Sequence, residues 1–289
     1  MSNPSTTVID WFKGRTAIVA TMHQKEQAIA PILEPTLALQ IRVPDAFDTD
    51  SFGTFTREVK RPGDQLETAR LKALKAVEIS GSDLAIASEG SFAPHPAFPM
   101  LPCNRELVIL IDTIHNLEVI GEIISTKTNF NHRTVRDFVE ANEFAATVGF
   151  PDHGLIVRVD RDSEEMVKGI REVDQLRDAV EFALARSSNG TIFLETDMRA
   201  MHNPTRMAAI AQATQDLLEK IQHQCPSCGT PGFRLLDRQP GLPCGWCGSP
   251  TDQTLAHLYE CKKCGFQQKK LYPNSVDASD PMYCHYCNP

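Results

Sequence analysis

The sequence predicts an α/β fold with a mixed sheet, followed by a small module organised by zinc. Three observations carry that expectation. Short apolar runs rich in β formers alternate with stretches of helical apolar spacing. Two of the runs, ELVILID and LEVIGEIIS, follow one another with only a turn between them, so at least one strand pair is antiparallel. Eight of the nine cysteines form four CxxC pairs inside the last 65 residues. At 289 residues the chain exceeds the ~100–200 residues usual for one domain, and the composition changes just before the first CxxC. The expected division is a larger domain over 1–222 and a zinc-binding module over 223–289.

Taken in order, TAIVA at 16–20 reads as a buried strand, and HQKEQAIAPIL after it reads as a turn leading into a helix. In α/β folds, ligands tend to sit at such strand-to-helix turns. Residues 64–80 place Leu66, Ala69, Leu71, Ala73, Leu74 and Val77 mainly on one helical face, with Gly81 as a stop. DLAIAS at 83–88 is the next strand, and the hairpin 106–125 follows. The strip SFAPHPAFPMLPCN at 91–104 is rich in proline and reads as an ordered loop, its His95 placed to close over a ligand. Beyond it the expectation is a helix from about Thr134, a strand at 153–159, a helix before Asn189, a strand at TIFLE and a helix over 203–223. Asn203 would be the N-cap of that last helix and Pro204 its first residue.

Hydrophobic content of 42% and charged content of 23% suit a globular protein with a packed core. No stretch approaches the ~18 uninterrupted apolar residues of a membrane span. The opening MSNPSTTVIDWFKG lacks the basic and apolar regions of a secretory signal. A cytoplasmic protein without membrane contact is expected. The net charge of −8 argues against a protein whose main task is coating nucleic acid, since that affinity comes from Lys and Arg. From Cys225 onward six basic residues meet five acidic ones, so the excess acid lies in the large domain.

Cys225/Cys228, Cys244/Cys247, Cys261/Cys264 and Cys284/Cys287 are each separated by two residues, which lets one tight turn aim both sulfurs at one ion. Gly229, Gly248 and Gly265 follow three of the pairs, where knuckle turns want a positive φ. Disulfides are the rival, disfavoured in a reducing compartment. Two structural Zn²⁺ ions are expected, with four thiolates each and no open coordination position. The pairs can combine sequentially, nested or crossed. The segment 244–264 resembles a zinc ribbon by itself, which favours the nested arrangement, with the sequential one close behind. Cys103, His257 and His285 are left over and read as a half-buried thiol and two surface imidazoles.

In the large domain, Glu67 falls on a helix and Glu89 at the end of the next strand, two carboxylates able to share Mg²⁺. Thr21, His23 and Lys25 sit in the turn after the first strand, where a lysine and a helix N-terminus favour phosphate. This order resembles the inosine/xanthosine triphosphate pyrophosphatase superfamily, whose members convert non-standard nucleoside triphosphates to monophosphate and pyrophosphate. The family's ATxNxxK turn resembles ATMHQK, with His23 in place of asparagine and one residue fewer. Its ENAxxKA helix resembles Glu67-Thr-Ala-Arg-Leu-Lys72-Ala73, and its acidic strand end resembles Ala87-Ser-Glu89-Gly90. More loosely, GFPDHGLIV and MHNPTRMA are similar to the family's base-proximal and final motifs, offering Asp152, His202 and Arg206.

The resemblance implies a nucleoside triphosphate pyrophosphatase-like mixed-sheet domain that hydrolyses a nucleotide with Mg²⁺. Glu67, Glu89, Lys25 and Lys72 would be catalytic, and Thr21, His23, Asp152, His202 and Arg206 would bind substrate. The zinc tail departs from that superfamily. Tail included, the chain resembles a bacterial family of no assigned function, common in cyanobacteria. Two other readings compete. In one the domain binds a nucleotide or nucleic acid without turnover, with Trp246, Tyr259, Phe266 and the lysines between Lys262 and Lys270 making the contact. In the other the tail docks a protein or a second copy as a homodimer.

Overall fold

The computed structural model describes residues 7–44, 47, 62–95 and 97–289. Helix α1 (Val8–Phe12) leads into β1 (Thr16–Ala20), and α2 (Glu26–Leu37) leads into the short β2 (Gln40–Arg42). After α3 (Gln65–Ser80), three long strands follow, β3 (Leu84–Pro94), β4 (Pro102–Asp112) and β5 (Leu117–Ser125). They form one sheet in the order β2-β1-β3-β4-β5, parallel across β2, β1 and β3 and antiparallel from there on. The expected mixed sheet is therefore present.

Side-chain alternation along the strands gives this sheet two dissimilar faces. Leu84 and Ile86 of β3 and Val108 and Leu110 of β4 pack with α2 and with α6 (Pro204–Gln222). The intervening Ala85, Ala87, Leu107 and Ile109 meet Ala69, Ala73 and Ala76 of α3. Alanines spaced four and three apart let α3 approach closely. That helix opens with a capping box, in which the Asp64 carboxylate accepts from Glu67 N–H at 2.8 Å and the Glu67 carboxylate accepts from Asp64 N–H at 3.0 Å. It closes at Gly81 with φ of 68°.

The second lobe is inserted between β5 and α6. It comprises β6 (His132–Val135), α4 (Phe138–Thr147), β7 (Leu155–Arg158), β8 (Met166–Ile170), α5 (Val173–Leu184) and β9 (Ile192–Thr196). The strands run wholly antiparallel in the order β6-β9-β7-β8 over a core of their own. Three strands, β10 (Arg234–Pro240), β11 (Thr254–Glu260) and β12 (Gln267–Leu271), make the sheet of the cysteine module. Among the described residues no helix is long and apolar enough to cross a membrane.

Two expectations need correction. The proline-rich strip is mostly strand: β3 and β4 pair through Phe92–Asn104, Ala93–Cys103 and Pro94–Pro102. Pro94 and Pro102 fall at the strand ends, where a missing N–H costs no ladder bond, and His95 and Pro99 lie in the irregular stretch between them. The helix expected from Thr134 is preceded by β6 and begins at Phe138 behind the Asp137 cap. β6 owes its state to pairing with β9, a partner some 60 residues away that local propensity does not reveal.

Helix α6 rests on β5 at Gly121, where a Cβ would strike the Ala213 carbonyl and the Leu217 amide. Gly121→Ala should therefore destabilise the fold by about 2 kcal/mol or more through overpacking. Urea denaturation checks this, and an unchanged midpoint would show that α6 can lift off the sheet without cost.

Candidate functional site

The two faces of the first sheet sort the charged residues near its centre. Glu89 shares the parity of Ala85 and Ala87 and so meets α3, where its carboxylate pairs with Lys72 Nζ at 2.5 Å, both side chains buried. Glu106 shares the parity of Val108 and Leu110 and so meets α6, where it accepts from Arg206 Nε at 2.7 Å. Both members of that second pair are fully buried, and Arg206 Nη1 also donates to the Met198 carbonyl at 2.5 Å. Gly90 lies across from Glu106 in the ladder. A Cβ there would come within 2.7 Å of Arg206 Nη2, so only glycine leaves room for the pair.

Between these pairs, at the ends of the parallel strands β1 and β3, runs the turn 21–25. Thr21 Oγ1 accepts from His23 N–H at 3.0 Å, and Gln24 adopts a positive φ of 59°. Lys25 then starts α2 and donates from Nζ to the Ser88 carbonyl at 2.8 Å. Burial pushes the Lys25 ammonium down to about 7. Repulsion from Arg206 and Lys72 works in the same direction, against attraction from Glu89 and Glu106. Among the described residues, three cationic side chains thus gather with two carboxylates at one buried place.

His202 ends a single 3-10 turn, Ala200–His202, that joins the second lobe to α6. Burial lowers its imidazole; Asp197 opposes the shift, while Arg199, Arg171 and His23 reinforce it. Asn203 caps α6, accepting from Arg206 N–H at 2.9 Å, so the local helix-entry reading of this segment holds.

The structure thus brings together Lys25, Lys72, Glu89 and Arg206, with Thr21 and His23 on the adjoining turn. It does not join Glu67 to Glu89. Glu67 is exposed and engaged in its capping box, whereas Glu89 is buried against Lys72. Among the described residues, the clusters of three or more His, Cys, Asp or Glu side chains able to hold a metal are the two cysteine quartets. Asp152 is exposed on the turn before β7. Glu106 and Asp197 escaped the sequence reading. For Glu106 a signal existed, since a carboxylate at the core-facing parity of an apolar strand demands a buried partner.

The cysteine quartets are interleaved. Cys225, Cys228, Cys261 and Cys264 form one, and Cys244, Cys247, Cys284 and Cys287 the other, each with sulfurs within 4.8 Å of one another. The favoured nested pairing is thus replaced by the crossed one. The physical reason lies in the antiparallel β10–β11 pair: β11 ends at Glu260 opposite Arg234, which returns Cys261 and Cys264 to the first knuckle. Sulfur separations across the quartets are 3.7 Å for Cys225–Cys264, 3.7 Å for Cys228–Cys261, 3.8 Å for Cys244–Cys287 and 3.6 Å for Cys247–Cys284. A tetrahedron with Zn–S bonds of ~2.3 Å has edges of about 3.8 Å. A disulfide would need ~2.05 Å. Both quartets therefore fit structural zinc.

The first three knuckles repeat one turn, in which Gly229, Gly248 and Gly265 donate to the carbonyls of Cys225, Cys244 and Cys261 at 2.8, 2.9 and 2.9 Å. Hydrogen bonds from Ser249 hold the Cys247 thiol down at about 6, and those from Thr230 outweigh burial to hold Cys228 at about 6.

The module sits on the body at its first quartet. Lys262 Nζ lies 3.5 Å from the Glu118 carboxylate, and Lys263 Nζ stands 4.9 Å from the Trp11 ring centroid. Gly232 lies against Val119 of β5.

A family model described as a domain of unknown function, DUF6671, matches residues 72–289, from α3 to the end of the cysteine module. The chain belongs to the DUF6671 family. The match runs without a break through Glu89, Glu106, Arg206 and all eight zinc-type cysteines, so DUF6671 joins body and module in one unit. Among the solved structures, that of protein VC0702 from Vibrio cholerae aligns with 71% of this chain and 94% of its own at 12% identity, with a TM-score of 0.31. No curated protein matches the sequence.

Interleaving has a direct readout in metal content. Cys225→Ser combined with Cys261→Ser removes ligands from one quartet and should leave about one zinc per chain, whereas Cys225→Ser with Cys244→Ser should leave about none. Elemental analysis of the purified variants decides it: the opposite order would indicate the sequential pairing, and loss of both ions in both variants the nested one.

Lys25 offers a second test. Its folded pKa lies below the unfolded value, so the folded state binds fewer protons between about 7 and 10.5, and stability rises with pH across that window. Lys25→Met should raise thermal stability at pH 7 by roughly 1 kcal/mol or more, with the advantage shrinking towards pH 10. A pH-independent or negative change would mean that the ammonium is better solvated than its burial implies.

Proposed function

We propose that the buried cationic cluster marks a cleft that holds the phosphate chain of a nucleotide and hydrolyses a phosphoanhydride bond within it. The observation that carries this reading is the buried Lys25, within electrostatic reach of both the Lys72–Glu89 and the Arg206–Glu106 pairs beside the turn that ends β1. The nucleotide itself is suggested by the motif resemblance to the inosine/xanthosine triphosphate pyrophosphatases.

Each side chain then has a role that follows from its partners. The turn 21–25 and the N-terminus of α2 offer backbone donors and a positive end to an anion. Lys25, near neutrality when the cleft is free, takes up a proton as phosphate enters, so affinity falls as pH rises through about 7. A phosphate oxygen competes with Glu89 for Lys72 and frees the carboxylate to accept a proton from the attacking water. Arg206, held in place by Glu106 and the Met198 carbonyl, offsets charge building on the transferred group. His23, His202 and Asp152 are left for the nucleoside end.

Glu67 and Glu89 do not make a magnesium site between them. Magnesium enters this reading as the counter-ion that the nucleotide brings, where it would neutralise phosphate charge.

The test is a hydrolysis screen with Mg²⁺ against standard and deaminated nucleoside triphosphates, following pyrophosphate release. Glu89→Gln should reduce turnover by about a hundredfold or more. Glu67→Gln should keep turnover within about twofold and leave stability nearly unchanged, since a glutamine there still accepts from the Asp64 N–H. Loss of turnover in Glu67→Gln alone, with the fold intact, would return the metal role to Glu67. No release with any substrate from folded, zinc-loaded protein would leave nucleotide binding without turnover.

A further inference from the structure

Crossed pairing gives the two cysteine centres different surroundings. In each CxxC the residue before the second cysteine stands at the crest of the knuckle. At the first centre those residues are Ser227 and Lys263, and Lys263 is turned onto Trp11 of the body. At the second they are Trp246 and Tyr286, which are 79% and 80% exposed. Both crests belong to one centre, so the two aromatic rings flank the same four sulfurs. Met282 and Tyr283, 59% and 50% exposed, lead into the same knuckle.

The segments that build this face carry acid and no lysine or arginine. Four thiolates outweigh one divalent cation, so a zinc-loaded quartet is anionic. Asp252 reaches His285 at 2.9 Å, and the Gly245 amide donates to the Ser279 carbonyl at 2.9 Å, which sets Asp280 beside the Trp246 knuckle. Neither 239–261 nor 271–289 contains a lysine or arginine. The module's four lysines lie elsewhere, Lys262 and Lys263 against the body and Lys269 and Lys270 on β12. Trp246 and the lysines once grouped with it thus belong to different centres, and a nucleic-acid backbone would find acid where it needs base.

We propose that the second zinc centre is a docking face for a lysine- or arginine-bearing segment of a protein partner, gripped by Trp246 and Tyr286 and matched by Asp252 and Asp280. Large aromatic rings exposed together suit interface hot spots, and a guanidinium stacks well on tryptophan and tyrosine. This face is independent of the cleft and its proposed chemistry.

The experiment measures anisotropy of a labelled arginine–serine peptide titrated with the full zinc-loaded chain, beside a glutamate–serine peptide and oligo(dT). The expected result is saturable binding of the basic peptide alone, weakened about tenfold or more by Trp246→Ala and by Tyr286→Ala with zinc content unchanged. Asp252→Asn, at an exposed position, should weaken it too and guards against a fold-related loss. Tighter binding of oligo(dT), equal binding of the acidic peptide, or affinity unchanged in all three variants would overturn the proposal. So would concentration-dependent dimerisation that Trp246→Ala abolishes, because the face would then serve a second copy.

Discussion

Helix α6 lying on the first sheet is the contact on which the rest of the molecule depends. Its backbone can reach β5 because position 121 has no side chain, and its apolar stripe of Ile210, Ala213, Leu217 and Ile221 completes the core with α2. The N-terminal end carries Arg206 into the sheet against Glu106. Three residues beyond its C-terminal end comes Cys225, the first thiolate of the module. One helix therefore positions the central buried ion pair, receives the chain from the second lobe and sets the module against the body. Breaking the Arg206–Glu106 pair on one side would leave an uncompensated buried charge, a far larger penalty than the pair's own net stabilisation.

That ion pair also explains the character of the cleft. A buried cation and carboxylate on each face of the sheet, Arg206–Glu106 towards α6 and Lys72–Glu89 towards α3, nearly cancel, and among the described residues Lys25 is the charge in excess. Desolvation brings its ammonium close to neutrality, so the site can change its charge cheaply when an anion arrives. Sites of this kind are costly to fold and useful to bind with. The same logic separates Glu89 from Glu67. Both are acidic residues at motif positions, yet one is desolvated beside a lysine and the other spends its carboxylate on a helix cap in water.

In the module, the metal centres replace a core that 65 residues cannot build. Crossing the pairs ties the first knuckle to the third and the second to the fourth, so neither centre can form without closing the loop that contains part of the other. The arrangement divides labour as well: the first centre uses its lysines on Glu118 and Trp11 of the body, while the second keeps its aromatic crests outside.

Much of this was legible along the chain. The β4–β5 hairpin, the α3 stop at Gly81, the Asn203 cap and the eight cysteines rest on local chemistry, where spacing and residue type determine the turn, cap or ligand. What spacing could not tell was which distant element each local piece would meet. The four-residue β6 is a strand only because β9 lies beside it, Glu106 has a partner only because α6 returns a hundred residues later, and the cysteine pairs cross only because the antiparallel β10–β11 pair brings Cys261 back to Cys225. The sequence by itself determined the repertoire of elements and metal ligands, since these follow from neighbours within a turn or two. Tertiary structure alone decided the charge pairing in the cleft and the sharing of sulfurs, since desolvation and coordination act between groups that only folding brings together.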